Sequence, residues 1–161
     1  LSVMAATAAA QTVDYNDGDN LPGPIDTTPS DVSLNSLGTG TATQSGVISG
    51  TNGIIKTGPG TIVLDAANIY QGTTRINAGA LQVSADGNLG AAGSGIVLDG
   101  GTLRLGSDNF ASGRAVTLGV AGGTVDVAGT KGGLLTGQIT VPGCLRCAIP
   151  ARTRWATRTG A

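Results

Sequence analysis

The sequence predicts an all-β parallel solenoid with coils of about 20–22 residues. Three observations lead there. The chain is 161 residues long with 28 Gly, only 2% aromatic and 12% charged residues. Its acidic residues are all Asp, His and Glu are absent, and only two Lys occur. Short β-prone runs then recur at a fixed spacing: Gly79, Gly101 and Gly123 lie 22 residues apart, as do Leu81, Leu103 and Val125, and Val83, Leu105 and Val127.

Composition rules against helix because Glu and Lys are good helix formers, whereas Gly, Asp, Asn and Thr favour turns and loops. A mean hydropathy of +0.18 argues against disorder. With so few aromatics, a core must come from Val, Ile, Leu and Ala, which suits thin stacked layers better than a thick interior. A net charge of −1 gives no electrostatic case for nucleic acid or an anionic membrane.

Along the chain, residues 1–10 (LSVMAATAAA) read as the end of a secretory signal peptide. Ala8-Ala9-Ala10 supplies an A-x-A cleavage site before Gln11. Residues 11–45 are polar, and Pro22, Pro24 and Pro29 should interrupt regular pairing. This stretch is expected to be a spacer or an N-terminal cap region. The β-helix is expected over 46–141.

Its strands are Thr61–Leu64, Ala80–Val83, Gly95–Leu98, Thr102–Leu105, Ala115–Leu118 and Thr124–Val127, each with Gly, Asn or Asp near its ends. Alternation along a strand sends Leu81/Val83, Leu103/Leu105 and Val125/Val127 inward as aliphatic ladders. Gln82, Arg104 and Asp126 then form one outward column, with Arg104 and Asp126 adjacent. Ile76, Leu98 and Leu118 make a looser ladder in the preceding strand. One coil alone buries too little to offset its backbone ordering, so stability requires neighbours on both sides.

Residues 53–83 read GIIKTGPGTIVLDAANIYQGTTRINAGALQV. The Lys-x-Gly-x-Gly-Thr start, the aliphatic strand, Asn-x-Tyr, Gly-Thr-Thr and the closing Gly-x-Leu-x-Val resemble the passenger-associated transport repeat of bacterial autotransporters. The residues carrying the match are Lys56, Gly58, Gly60, Thr61, Ile62, Leu64, Asn68, Tyr70, Gly72, Thr73, Thr74, Ile76, Gly79, Leu81 and Val83. The looser resemblance extends over about 46–141.

It implies a right-handed parallel β-helix, a structural passenger segment of a type V secretion protein and a fragment serving as a stalk or adhesin scaffold, with the repeat assisting secretion and folding. The implied localisation is export to the surface or outer membrane of a Gram-negative bacterium, or release from it. The implied partners are Sec, the outer-membrane assembly machinery, a C-terminal outer-membrane β-barrel translocator and a host surface ligand. The barrel is expected to be missing here, since barrel strands need alternating ten-residue segments with aromatic girdles.

Residues 142–161 differ from the rest. Cys144, Cys147, Trp155 and four of the nine basic residues fall there, so a basic tail or a frameshifted ending is expected. Cys144-x-x-Cys147 lacks the further ligands of a zinc site and the βαβ setting of a redox motif.

No catalytic, cofactor or metal residues are expected. Absence of His excludes Ser-His-Asp and Cys-His activation within the chain. There is no phosphate-binding Gly-Lys loop, and the Asp14–Asp19 stretch misses the Gly and Glu positions of a calcium loop. Two alternatives remain. One is a β-helix enzyme degrading polysaccharide, with Asp65, Asp99 and Asp126 as candidate carboxylates. The other is a two-partner-secreted exoprotein.

Overall fold

The computed structural model describes residues 11–127, 132–141 and the backbone of 153–155. The predicted signal remnant 1–10 lies outside the described residues, as does Cys144-x-x-Cys147.

The chain winds as stacked coils joined by parallel pairing. The first coil contains Gln11–Tyr15, Asn20–Leu21 and Ile25–Asp26. The second contains Val32–Ser36, Thr41–Gln44 and Ile48–Ser49. Ile54–Thr57 and Thr61–Leu64 belong to the third, and Thr74–Ile76 and Ala80–Val83 to the fourth. The fifth holds Ile96–Leu98, Thr102–Leu105 and Phe110–Ser112; the sixth holds Val116–Leu118, Thr124–Val127 and Gly133–Leu135. Ile139–Thr140 starts another coil. The first strands of the coils make a seven-stranded sheet and the second strands a six-stranded one. The sole helical turn among the described residues is a 3-10 turn, Asp86–Leu89.

The register is the one the spacing predicts. Leu81 pairs with Leu103 and Leu103 with Val125; Val83, Leu105 and Val127 follow two residues on. Ile76, Leu98 and Leu118 align on the other face. Leu81, Val83, Leu103 and Leu105 are buried, whereas Leu118, Val125 and Val127 pack on the core only partly buried. The ladders also run further back than the sequence showed. Ile62 lies under Leu81 and Ala42 under Ile62, with Leu64 and Gln44 alongside.

Residues 11–45 correct the expectation of a spacer, because they build the first two coils. Val32, Leu34 and Ser36 alternate inward along one strand, and Ala42 and Gln44 along the next. The prolines do not interrupt pairing because they stand at corners: Pro22 and Pro24 separate Asn20–Leu21 from Ile25–Asp26, and Pro29 precedes Val32–Ser36. What hid these coils is that polar side chains, Thr27, Ser36 and Gln44, take interior positions beside the apolar ones. Gln44 is buried, takes a hydrogen bond from Tyr15 Oη at 2.8 Å, and donates to Gly23 O at 2.8 Å and Gly46 O at 3.1 Å. Polar side chains satisfied in this way occupy ladder positions at little cost, so apolar periodicity fades without the fold changing.

In the 142–161 tail, only the backbone of Thr153–Trp155 falls within the described residues. It pairs antiparallel with Gly133–Leu135, the only antiparallel pairing among the described strands.

Candidate functional site

The residues singled out in 53–83 lie in the strands and at the corners of the third and fourth coils. Lys56 is the least expected of them. Its position belongs to an aliphatic ladder, between Leu34 on the coil before and Ile76 on the coil after. Its side chain is fully buried. Nζ donates to Ser36 Oγ at 3.1 Å, Thr57 O at 2.6 Å, Gly58 O at 2.9 Å and Ala78 O at 3.3 Å. Burial pushes the ammonium down to about 8, since all four of these partners are neutral oxygens and none supplies a compensating charge.

The glycines of the repeat make room for this arrangement. Gly58 has φ +75° and Gly79 φ +61°, a region side chains rarely adopt. A Cβ at Gly79 would also stand 2.9 Å from Lys56 Nζ and 2.5 Å from Gly58 O. At Gly60 it would meet the carbonyls of Gly38 and Gly40 at 2.6 and 2.7 Å, and at Gly72 the backbone of Asn52 and Gly53. Ser36 Oγ, already bonded to Lys56, accepts from Gly60 N at 2.8 Å.

On the next corner Asn68 is buried and spans three coils. Its Oδ1 accepts from Ile48 N at 2.8 Å, and its Nδ2 donates to Asn88 O at 2.7 Å. Asn88 continues the chain of contacts, donating to Ala66 O at 2.8 Å and accepting from Ala85 N at 2.8 Å. Tyr70 and Thr74, both fully buried, share a hydrogen bond of 2.6 Å. Thr61, Leu81 and Val83 lie in ladder strands, with Leu81 and Val83 fully buried. The set therefore divides into aliphatic ladder positions, glycines that admit close backbone approach, and polar groups that tie one coil to the next.

Residues 54–83 match the family model described as Passenger-associated-transport-repeat. By that match the chain is similar to passenger-associated transport repeats over 54–83. It is also 44% identical over 89 residues to the "Adhesin BmaC autotransporter" of Brucella suis biovar 1 (strain 1330), an alignment covering 55% of this chain and 3% of that protein. The chain thus spans a small part of the length of the relative it matches. No solved structure matches it. The resemblance to autotransporter passengers rests on these two findings, and the all-β parallel solenoid agrees with it.

The sequence analysis missed Arg114, which lies near the repeat in space. Though charged, it is 4% exposed. Nε and Nη2 grip the Asp86 carboxylate at 2.9 and 3.2 Å, while Nη1 and Nη2 reach Ala91 O at 2.6 Å, Gly90 O at 2.7 Å, Ser94 O at 3.1 Å and Asp86 O at 3.1 Å. One guanidinium so fastens the 86–94 turn to the coil 20–28 residues later. Burial works to raise the Asp86 carboxyl, but hydrogen bonds from Arg114 and Ser112 and the Arg114 charge outweigh it, leaving the carboxyl below its ordinary value. No motif in the sequence marks this pair; only the coil register brings it together.

The carboxylates considered for catalysis are dispersed. Asp126 pairs with Arg104, Asp99 Oδ1 accepts from Ala121 N at 3.0 Å, and Asp65 is exposed two coils from Asp99. Among the described residues no three His, Cys, Asp or Glu side chains group as metal ligands. In the 14–19 stretch the acids bind protein donors instead: Asp14 takes Asn35 Nδ2 at 2.8 Å, Asp17 takes Gly40 N at 2.9 Å and Asp19 takes Asn16 N at 2.7 Å.

Proposed function

We propose that this chain is a structural segment of an autotransporter passenger, exported to the cell surface of a Gram-negative bacterium, in which the repeat assists folding during secretion. The observation that carries the reading is the division of labour in 54–83. The segment matched as a transport repeat is also where Lys56 and Asn68 each contact both the preceding and the following coil. Solenoid contacts are local, so a chain emerging from a pore can fold by adding coils to a nucleus already formed. A segment that binds its neighbours on both sides is suited to that task, and folding outside the cell biases exit where no ATP is present.

An adhesin scaffold is the role proposed for the displayed surface, in line with the printed description of the Brucella relative. The partners proposed are Sec, the outer-membrane assembly machinery, a C-terminal β-barrel and a host surface ligand. No cofactor is proposed, and the role is not enzymatic.

Proline at Ile62 or Leu81 tests the secretion role in the full passenger. Each site is fully buried in a central ladder strand, and proline removes a ladder donor there. Surface appearance, followed by protease accessibility in whole cells, should slow severalfold relative to a proline placed at exposed Val120. Unchanged secretion kinetics in both core variants would refute the role.

A further inference from the structure

We propose that the corner formed by Ser36, Thr57, Gly58 and Ala78 is an ammonium receptor, filled by the chain's own Lys56, and that filling it locks three successive coils in one register.

Three backbone carbonyls and one hydroxyl converge on Nζ at 2.6–3.3 Å. They come from three coils: Ser36 from the second, Thr57 and Gly58 from the third, Ala78 from the fourth. A buried carbonyl without a donor is costly, and an ammonium brings three N–H donors in a tetrahedral fan that suits several acceptors at once. An aliphatic residue, which the ladder between Leu34 and Ile76 would otherwise take, fills the volume but removes the donor that Gly58 O and Ala78 O face, while Ser36 Oγ keeps Gly60 N and Thr57 O keeps only a 3.4 Å bond from Ser36 Oγ. Gly58 and Gly79 draw the backbone in around the ammonium, and a Cβ at Gly79 would strike it. The need for a lock follows from the ladders themselves. Leu, Ile and Val rungs are chemically alike, so apolar burial alone discriminates poorly between one register and another, whereas a buried polar group is satisfied in one arrangement only. The lowered proton affinity of Lys56 still leaves it mainly protonated at neutral pH.

Chemical rescue tests this. Lys56→Ala in the full chain should melt about 5–10 °C below the wild type. Propylammonium supplies the atoms removed beyond Cβ, and added before refolding it should restore the melting temperature saturably. Tetramethylammonium, which has the charge but no N–H donor, should not. Wild type and a Leu103→Ala control should respond to neither. Equal effects of the two cations, or a Lys56→Ala protein as stable as wild type, overturn the proposal.

Should Lys56→Ala fail to fold without amine, recovery of the β signal in propylammonium alone supports the receptor. Lys56→Met, which keeps length and volume without a donor, is the second variant. Amide exchange should accelerate in Val32–Ser36 and Ala80–Val83 and stay unchanged in Thr124–Val127. Unaltered protection in all three strands overturns the lock.

Discussion

Replacing Arg114 by Met should be among the most damaging single changes in this solenoid. The five N–H groups of the guanidinium serve six acceptor oxygens, two on the Asp86 carboxylate and four on the carbonyls of Asp86, Gly90, Ala91 and Ser94, with one Nη2 hydrogen shared. Met keeps most of the stem packing and removes every donor. Breaking a buried ion pair from one side typically costs about 3–5 kcal/mol, because the partner groups stay behind unsatisfied. The Asp86 side chain is 33% exposed and can turn to water, so the lower half of that range applies, about 3–4 kcal/mol. At roughly 2–4 °C per kcal/mol for a chain of this size, the melting temperature should fall by about 6–16 °C.

The mirror change, Asp86→Asn, should cost less, because Arg114 keeps its four carbonyls. Thermal and urea unfolding followed by circular dichroism measure both, and limited proteolysis should show the 86–94 turn cut first in Arg114→Met. If Arg114→Met lies within about 0.5 kcal/mol of wild type, the size usual for inert surface changes, the clamp is not a stabilising feature. If Asp86→Asn costs as much as Arg114→Met, the buried guanidinium charge left without its carboxylate outweighs what the four carbonyl contacts retain.

Other perturbations test other layers of the argument. Leu103→Ala, in the middle of a fully buried ladder, should cost about 2–5 kcal/mol in urea unfolding; Val125→Ala should cost clearly less, since Val125 is only partly buried at the last rung of its sheet. Arg104→Ala should shift stability by about 0–1 kcal/mol and less at high salt, because its 2.9 Å pair with Asp126 is 37% and 44% exposed; a larger loss would mean the outward column does more than pair charges.

The pH profile should carry the mark of Lys56. Its folded value is about 8, below the ordinary 10.5 because of desolvation, so between those values the unfolded chain binds more protons. The penalty for burying the ammonium is complete below pH 8 and shrinks as pH rises, so stability should climb between about pH 8 and 10, by at most about 3 kcal/mol. Above pH 10 the trend should reverse, since burial raises Tyr15 and raises Tyr70 to about 12, and the unfolded tyrosines ionise first. Urea midpoints for wild type and Lys56→Met check this, and a climb that survives in Lys56→Met would assign it elsewhere.

Much of this architecture could be read from one dimension. The equal spacing of Leu81, Leu103 and Val125 settled the fold, because side chains recurring once per coil can be buried together only if the coils stack. The same spacing placed Arg104 beside Asp126, 22 residues on. Among the residues of 53–83 that carry the family resemblance, Gly58, Gly60, Gly72 and Gly79 have crowded backbones, and Lys56 and Asn68 have side chains that cross between coils. Tertiary structure alone decided what buried polar residues do. Nothing in the sequence showed that Gln44 and Ser36 face inward, that Lys56 occupies an aliphatic rung, or that Arg114 turns back onto the 86–94 turn. An apolar side chain carries its preference for the interior with it. A polar one is stable inside only where the backbone of other coils presents matching donors and acceptors, and those positions exist only once the solenoid has closed.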